Sequence, residues 1–145
     1  MGYGQFIPSS YRHYAVDFDN DKVADILDNP IDAIGSVANY FAEHKWQAGA
    51  PVTFSLAKGS QGENFEKILH DKLKPRHTLS ELKAAGLIIP KEYDLSQKAK
   101  LQILDGSEGL EYWVTLQNFY VITRYNHSHL YAMAVFQLAE ALRKP

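Results

Sequence analysis

The stretch DFDNDKVADILD packs five carboxylates into twelve residues. Asp17, Asp19 and Asp21 stand at positions 1, 3 and 5 of that window. Val23 at position 7 can offer its carbonyl, Asp25 stands at position 9, and Asp28 closes the window. Calcium takes about six to eight oxygens, and a loop with acids at alternating positions can wrap one ion. Carboxylates this close repel one another unless a cation or solvent separates them. Two positions depart from the helix-flanked calcium loop. Lys22 holds position 6, where a sharp turn favours glycine, and Asp28 is shorter than the glutamate that reaches an ion with both oxygens. Asp17, Asp19, Asp21, Val23 and Asp28 are therefore the candidate metal ligands, with calcium in a structural role. The plainer alternative is a solvated acidic loop that caps a helix.

A second group lies in TRYNHSHLYAM. Tyr125, Asn126 and Tyr131 combine an amide with aromatic rings, which suits a carbohydrate: amides for hydroxyls, rings for sugar faces. Helix capping with core tyrosines explains the same residue types. His127 and His129 are two apart, whereas metal-binding pairs on a helix prefer four. Asn126-His127-Ser128 also fits a glycosylation acceptor, a pattern too common to carry weight. Ser128 beside His127 says nothing of a nucleophilic triad, which is a matter of geometry. A glycosidase acid needs a pKa raised by burial. Glu43, Glu66, Glu81, Glu111 and Glu140 stand in polar or amphipathic settings, and none reads as such an acid.

The elements that must position these groups follow from local signals. Pro8 to Asn29 reads as loop. NPIDAIGSVANYFAEHKW reads as a helix: Asn29 caps it, Pro30 fits the first position, and Asp32 suits the positive end. Ile31, Ile34, Ala38 and Phe41 form an apolar stripe widened by Val37 and Tyr40, and the helix should end near Trp46. PVTFSLA reads as a strand, KGSQGEN as a turn or loop, and FEKILHDKLK as a short amphipathic helix or irregular piece. In TLSELKAAGL, Thr78 and Glu81 make a capping box and Gly86 suits a helix end. AKLQILD, LEYWVTL and NFYVITRY read as strands, the last two joined as a hairpin at Gln117-Asn118. SHLYAMAVFQLAEALRKP is so apolar that it reads as a core helix buried on more than one side. This order argues an α+β fold and not a doubly wound parallel sheet.

Composition narrows the class. The 145 residues are 46% hydrophobic and 22% charged, which suits one soluble domain with a modest core. The net charge of −2 and the lack of a basic stripe argue against nucleic acid. Nine Tyr and seven Phe suit either ligand stacking or a core. There is no cysteine, so the redox compartment stays open. No apolar run of about 20 residues reads as a transmembrane segment, and no signal-peptide pattern follows Met1.

MGYGQFIPSSYRHYAVDFD, NPIDAIGSVANYFAEHKW and NFYVITRYNHSHLYAMAVFQLAEAL, in this order and spacing, resemble the lytic murein transglycosylase B family. The resemblance covers essentially the whole chain. It implies part of a lysozyme-like, mainly α-helical domain with a calcium-type loop and a small antiparallel β piece. The expected layout is a sugar-site motif, loop and helix over 1–46, a small α/β insertion over 47–118, and a cleft motif with a core helix over 119–145. It further implies cleavage of the MurNAc–GlcNAc linkage of peptidoglycan without water, leaving a 1,6-anhydro end, with one glutamic acid serving as acid and then base. Gln5, Tyr40, Tyr125, Asn126 and Tyr131 match glycan-contacting positions, and the acidic loop matches the calcium loop. No organic cofactor is implied. The family's catalytic glutamate lies upstream of GYGQF, so no residue here takes that role and the chain is expected to lack activity alone. A non-catalytic peptidoglycan-binding module and an inert calcium-stabilised fragment are the alternatives. Helices that precede GYGQF in the family would cover the Ile31 to Phe41 stripe and the last helix. Without them, apolar surface open to association is expected. The family implies a periplasmic or outer-membrane address, although neither a signal peptide nor a lipid-bearing cysteine is read here.

Overall fold

A computed structural model describes residues 2–57 and 64–145. The chain divides into two compact units, Met1–Trp46 and Gln47–Pro145. Among the described residues the fold is α+β: five α-helices and a four-stranded antiparallel sheet.

The first unit holds α1 (Pro8–Tyr14) and α2 (Pro30–Glu43) around the acidic loop. α1 replaces the loop expected after Pro8. It is short and has no side-chain cap, so only Pro8 at its start marked it. α2 begins as its sequence dictates: Asn29 Oδ1 accepts from the Ile31 N–H at 3.0 Å. It ends in a Schellman turn, in which the Lys45 N–H reaches the Ala42 carbonyl and the Trp46 N–H reaches the Phe41 carbonyl. Lys45 takes the left-handed conformation there (φ +70°), and the Trp46 ring stacks on Phe41 at 5.5 Å. Phe6, Ile26 and Ala33 are buried, while Ile31 and Ile34 of the expected stripe are exposed.

The second unit is built on a sheet ordered β1-β4-β3-β2. Its strands are β1 (Thr53–Ser55), β2 (His77–Thr78), β3 (Lys98–Gly106) and β4 (Gly109–Thr115). The long hairpin joins β3 to β4 through Gly106 and Gly109, which pair with each other, and Gly109 has φ +112°. A Cβ on Gly106 would meet the Glu111 side chain. α3 (Leu79–Ala84) carries the expected capping box between Thr78 and Glu81, and Gly86 ends it at φ +104°. Phe54, Ile68, Leu79, Leu82, Leu87, Ala99, Leu101, Val114 and Leu116 form the core of this unit. Within FEKILHDKLK, only Phe65–Ile68 is helical, as a short 3₁₀ turn. Of the loop expected over KGSQGEN, all but Asn64 falls outside the described residues.

Two expectations are corrected here. NFYVITRY is not a strand: Gln117–Tyr125 is α4, and the hairpin lies one connection earlier. The β-branched and aromatic residues that favour a strand instead fill a broad buried helix face of Phe119, Val121, Ile122 and Thr123. Tertiary burial overrides propensity in such cases. α5 (His129–Arg143) is a helix as expected, but only Ala132 and Met133 of it are buried. Leu130, Leu138 and Leu142 are 63%, 61% and 77% exposed. Its apolar composition exceeds what its neighbours among the described residues cover.

The second unit also holds an unsatisfied histidine. Both ring nitrogens of His70 are occluded and have no hydrogen-bond partner among the described residues. Around it stand the buried Lys100 of β3, whose ammonium donates to the His70 carbonyl, and the His77 ring 6.0 Å away. His77 is itself paired with Glu81 of α3 at 3.2 Å. Burial, then the charges of Lys100, Arg76 and His77, push the His70 imidazole below its ordinary range, against the smaller opposite pull of Asp71. A histidine pKa lowered by folding leaves the unfolded chain binding more protons. This stability contribution is complete above about pH 6.5, the unfolded value, and is lost as pH falls toward the folded value. Urea unfolding at pH 8, 6.5 and 5 is expected to show stability falling with acid in the wild type, and less steeply in His70→Phe. Equal slopes for the two proteins would contradict this assignment.

Candidate functional site

The acidic loop is held by one face of α2. Asp32, Ser36 and Asn39, spaced by four and three, turn polar groups toward it. Asp32 Oδ1 accepts from the Phe18 N–H at 2.8 Å and Oδ2 from the Asp25 N–H at 2.9 Å. Ser36 Oγ accepts from the Val16 N–H at 2.9 Å, and the Asn39 amide donates to the Tyr14 carbonyl at 3.1 Å. Tyr11 of α1 donates its hydroxyl to the Ala24 carbonyl at 2.9 Å, closing the loop from the other side. Phe18 lies directly on Gly35, where a Cβ would stand 2.4 Å from the ring.

This clamp gathers four carboxylates. One oxygen from each of Asp17, Asp19, Asp21 and Asp32 lies within 4.8 Å of all the others. Asp32 is fully buried, and burial pushes its pKa up. The N–H donors of Asp25, Phe18 and Asp19 outweigh that and hold the carboxyl below its ordinary range, ionised. The remaining carboxylates are aimed by backbone N–H groups: Asp17 by Asp21 and Lys22, Asp19 by Asp21, and Asp21 by Val23. Asn29 adds its side-chain amide to Asp19 at 2.8 Å. Among the described residues no basic side chain pairs with any of the four. Hard oxygen donors, oriented and unneutralised, fit a calcium ion.

The other sequence candidates take different places. Asp28 is exposed and lies outside the four-carboxylate group. Its backbone N–H is bound by Asp25 Oδ1, which also accepts from Leu27. The Val23 carbonyl accepts from the Asp25 N–H at 3.1 Å. Asp32 was legible only as a residue suited to a helix N-terminus, because the sequence does not show that the loop folds back eleven residues later. Lys22 explains its own oddity: its φ of +79° is the left-handed turn for which glycine is otherwise required. Lys22→Gly is expected to stabilise the first unit by about 1 kcal/mol and to tighten calcium binding by removing a cation. Thermal unfolding with and without calcium measures both effects.

Gln5 sits in a tight opening turn at φ +52°, where its side-chain amide donates to the Gly2 carbonyl at 2.7 Å. A Cβ on Gly2 would stand 2.3 Å from the Ile26 carbonyl, so this turn packs on the loop only as glycine. Tyr3 and Gly4, with Pro30, Ala33, Ile34 and Val37, line an apolar concavity of about 360 Å³. Tyr40 is half-buried on α2 among the rings of Phe6, Tyr14 and His44. In the second unit, Tyr125, Asn126 and Tyr131 stand on either side of the connection between α4 and α5. Tyr125 ends α4, Asn126 is its C-cap, and Ser128 caps α5 by accepting from the Tyr131 N–H at 3.2 Å. Asn126 and Tyr131 are exposed there.

Comparison with known proteins interprets these placements. Residues 1–140 match the family described as the transglycosylase SLT domain. The chain belongs to this family. It is 48% identical over 142 residues to the membrane-bound lytic murein transglycosylase B of Escherichia coli. That match takes in 98% of this chain and 37% of the relative, so the chain spans little more than a third of that enzyme. Among solved structures, the soluble lytic transglycosylase SltB1 of Pseudomonas aeruginosa is 48% identical with a TM-score of 0.87, covering 97% of this chain and 46% of SltB1. The E. coli transglycosylase Slt35, solved in complex with calcium, is 48% identical with a TM-score of 0.82, covering 97% of this chain and 43% of Slt35. SltB3 of P. aeruginosa, solved with NAG-anhNAM-pentapeptide, is 36% identical with a TM-score of 0.75, covering 93% of this chain and 36% of SltB3. These likenesses agree with an α+β fold.

Proposed function

We propose that this chain supplies a glycan-binding part of a peptidoglycan lytic transglycosylase, stiffened by one calcium ion. Gln5, Tyr40, Tyr125, Asn126 and Tyr131 hold the sugar strand, and the address is the periplasm. The observation that carries the reading is the α4–α5 corner, where an amide and two phenols stand within seven residues of a chain that matches the family along its length. Amides meet sugar hydroxyls and acetamido groups from both sides, as donor and acceptor.

The calcium ligands are Asp17, Asp19, Asp21 and Asp32, with the Val23 carbonyl as a further oxygen. When bound, calcium neutralises the crowded carboxylates and fixes the loop between α1 and α2. The chain's own residues orient those carboxylates through the backbone N–H groups already named.

The catalytic acid is not among the described residues. Protonating a glycosidic oxygen needs a carboxylic acid kept neutral by burial. The one fully buried carboxylate described, Asp32, is held in the opposite state. Incubation with purified murein sacculi tests the reading. The chain is expected to co-sediment with murein, to lose binding in Asn126→Ala and Gln5→Ala, and to release no 1,6-anhydromuropeptide. Unchanged binding in both variants removes the glycan site. Release of the anhydro product by the chain would place an acid within these residues.

A further inference from the structure

Tyr40 is walled in by other rings, and the nearest of them is fixed by a hydrogen bond. His44 is the C-cap of α2. Its Nδ1 lies 2.8 Å from the Tyr40 carbonyl, one turn back, and because a carbonyl only accepts, Nδ1 carries the proton. That bond sets both the tautomer and the ring direction. The imidazole then lies nearly flat on the Tyr40 phenol ring, with centroids 4.1 Å apart and planes 21° apart. Tyr14 meets Tyr40 edge-on at 4.7 Å and touches the His44 ring at 5.5 Å. Phe6 closes in at 6.2 Å. Tyr14, at the end of α1, is itself held, since its carbonyl accepts from Asn39 of α2.

We infer that His44, with Tyr14 behind it, is a positioning residue that fixes the Tyr40 ring, so that Tyr40 addresses glycan through its phenolic end and not through a ring face. This rests on the reading of Tyr40 as part of a glycan site. A sugar that stacked on the Tyr40 face beside His44 would have to displace an imidazole held by its own hydrogen bond. A fixed phenol loses less freedom on binding than one free to rotate. Tyr40 therefore has two separable parts: a ring that serves the packing and a hydroxyl that serves the ligand.

The test is titration of the whole chain with the β-1,4-linked tetramer of N-acetylglucosamine, read by NMR. The Tyr40 ring signals report the stack whether or not sugar is bound. His44→Ala is expected to move those signals and weaken binding by about five- to tenfold, as loss of one aromatic contact allows. His44→Phe keeps a ring on Tyr40 and is expected to bind within about twofold of wild type. Tyr40→Phe and Tyr40→Ala should lose binding equally, because only the hydroxyl meets sugar. Thermal midpoints, measured alongside, separate positioning from general loosening. The inference is overturned if His44→Ala binds as wild type while Tyr40→Phe does not, if His44→Phe is as weak as His44→Ala, or if Tyr40→Phe keeps full affinity. Full binding by Tyr40→Ala would instead overturn the reading of Tyr40 as a glycan contact. A wild-type chain that binds no tetramer overturns that reading and the inference together.

Discussion

Asp32→Asn is expected to weaken calcium binding at least about tenfold, whereas Asp28→Asn leaves it within about twofold. Asp32 is the buried member of the four-carboxylate group, and both its oxygens already accept backbone N–H groups, from Phe18 and Asp25. The amide replacing one oxygen turns a donor toward a donor. It also removes one negative charge from the centre of the cluster. Asp28 is exposed and outside the group, so its charge acts only through solvent. Calorimetric titration with calcium distinguishes the two. The effect should also appear in stability, because an ion that binds only the folded state adds about 2.7 kcal/mol at a hundred times its dissociation constant. Wild type and Asp28→Asn should gain that increment, and Asp32→Asn should not. The opposite order, with Asp28→Asn abolishing binding, would restore the consecutive twelve-residue loop.

That contrast shows where the sequence was readable. Three acids at alternating positions mark a candidate cation loop through spacing alone, because they lie within one turn of chain. The fourth comes from a helix, and nothing in DFDNDKVADILD says that α2 turns Asp32, Ser36 and Asn39 back onto it. The same division runs through the fold. Asn29 and Pro30 at the start of α2 and the Thr78–Glu81 capping box of α3 act across three or four residues, and the structure keeps both. α4 carries no side-chain cap and is rich in β-branched and aromatic residues. It is helical because Phe119, Val121 and Ile122 are buried together, a fact of tertiary contact. The exposure of Leu130, Leu138 and Leu142 on α5 was hidden for the same reason: composition records what a helix can bury, not what covers it. Of the proposed glycan contacts, Tyr125, Asn126 and Tyr131 are legible as a group because seven residues contain them. Tyr40 is legible only by resemblance, and its partner His44 only from ring geometry.

Asn118→Ala is expected to destabilise the second unit by about 3 kcal/mol. The sequence pattern puts Asn118 in a hairpin turn with Gln117. Instead it is fully buried near the start of α4. Its Oδ1 accepts from the Gln47 N–H at 2.8 Å, and its Nδ2 donates to the Gln47 carbonyl at 2.8 Å and to the Ala50 carbonyl at 3.1 Å. One amide thus satisfies three backbone groups of the segment that leads into β1. Alanine strips the Gln47 N–H and the Ala50 carbonyl of this partner and leaves the Gln47 carbonyl only the Ala50 N–H at 3.1 Å, and an unpaired backbone group costs more than an average hydrogen bond contributes. Asn118→Asp is the sharper variant. It keeps the acceptor for Gln47 but turns a carboxylate oxygen toward two carbonyls, so it should be at least as damaging as alanine and should recover as acid protonates it. Urea unfolding at pH 7 and pH 4 checks this. A lower midpoint with an unchanged slope is expected for both variants at pH 7, with partial recovery of Asn118→Asp, relative to Asn118→Ala, at pH 4. Because α4 begins at this latch and ends at Tyr125 and Asn126, loosening its start should also weaken the murein binding proposed for its far end. A loss under about 0.5 kcal/mol in Asn118→Ala, the range of an ordinary surface change, would mean that water replaces the amide without penalty and that α4 is held by its apolar face alone.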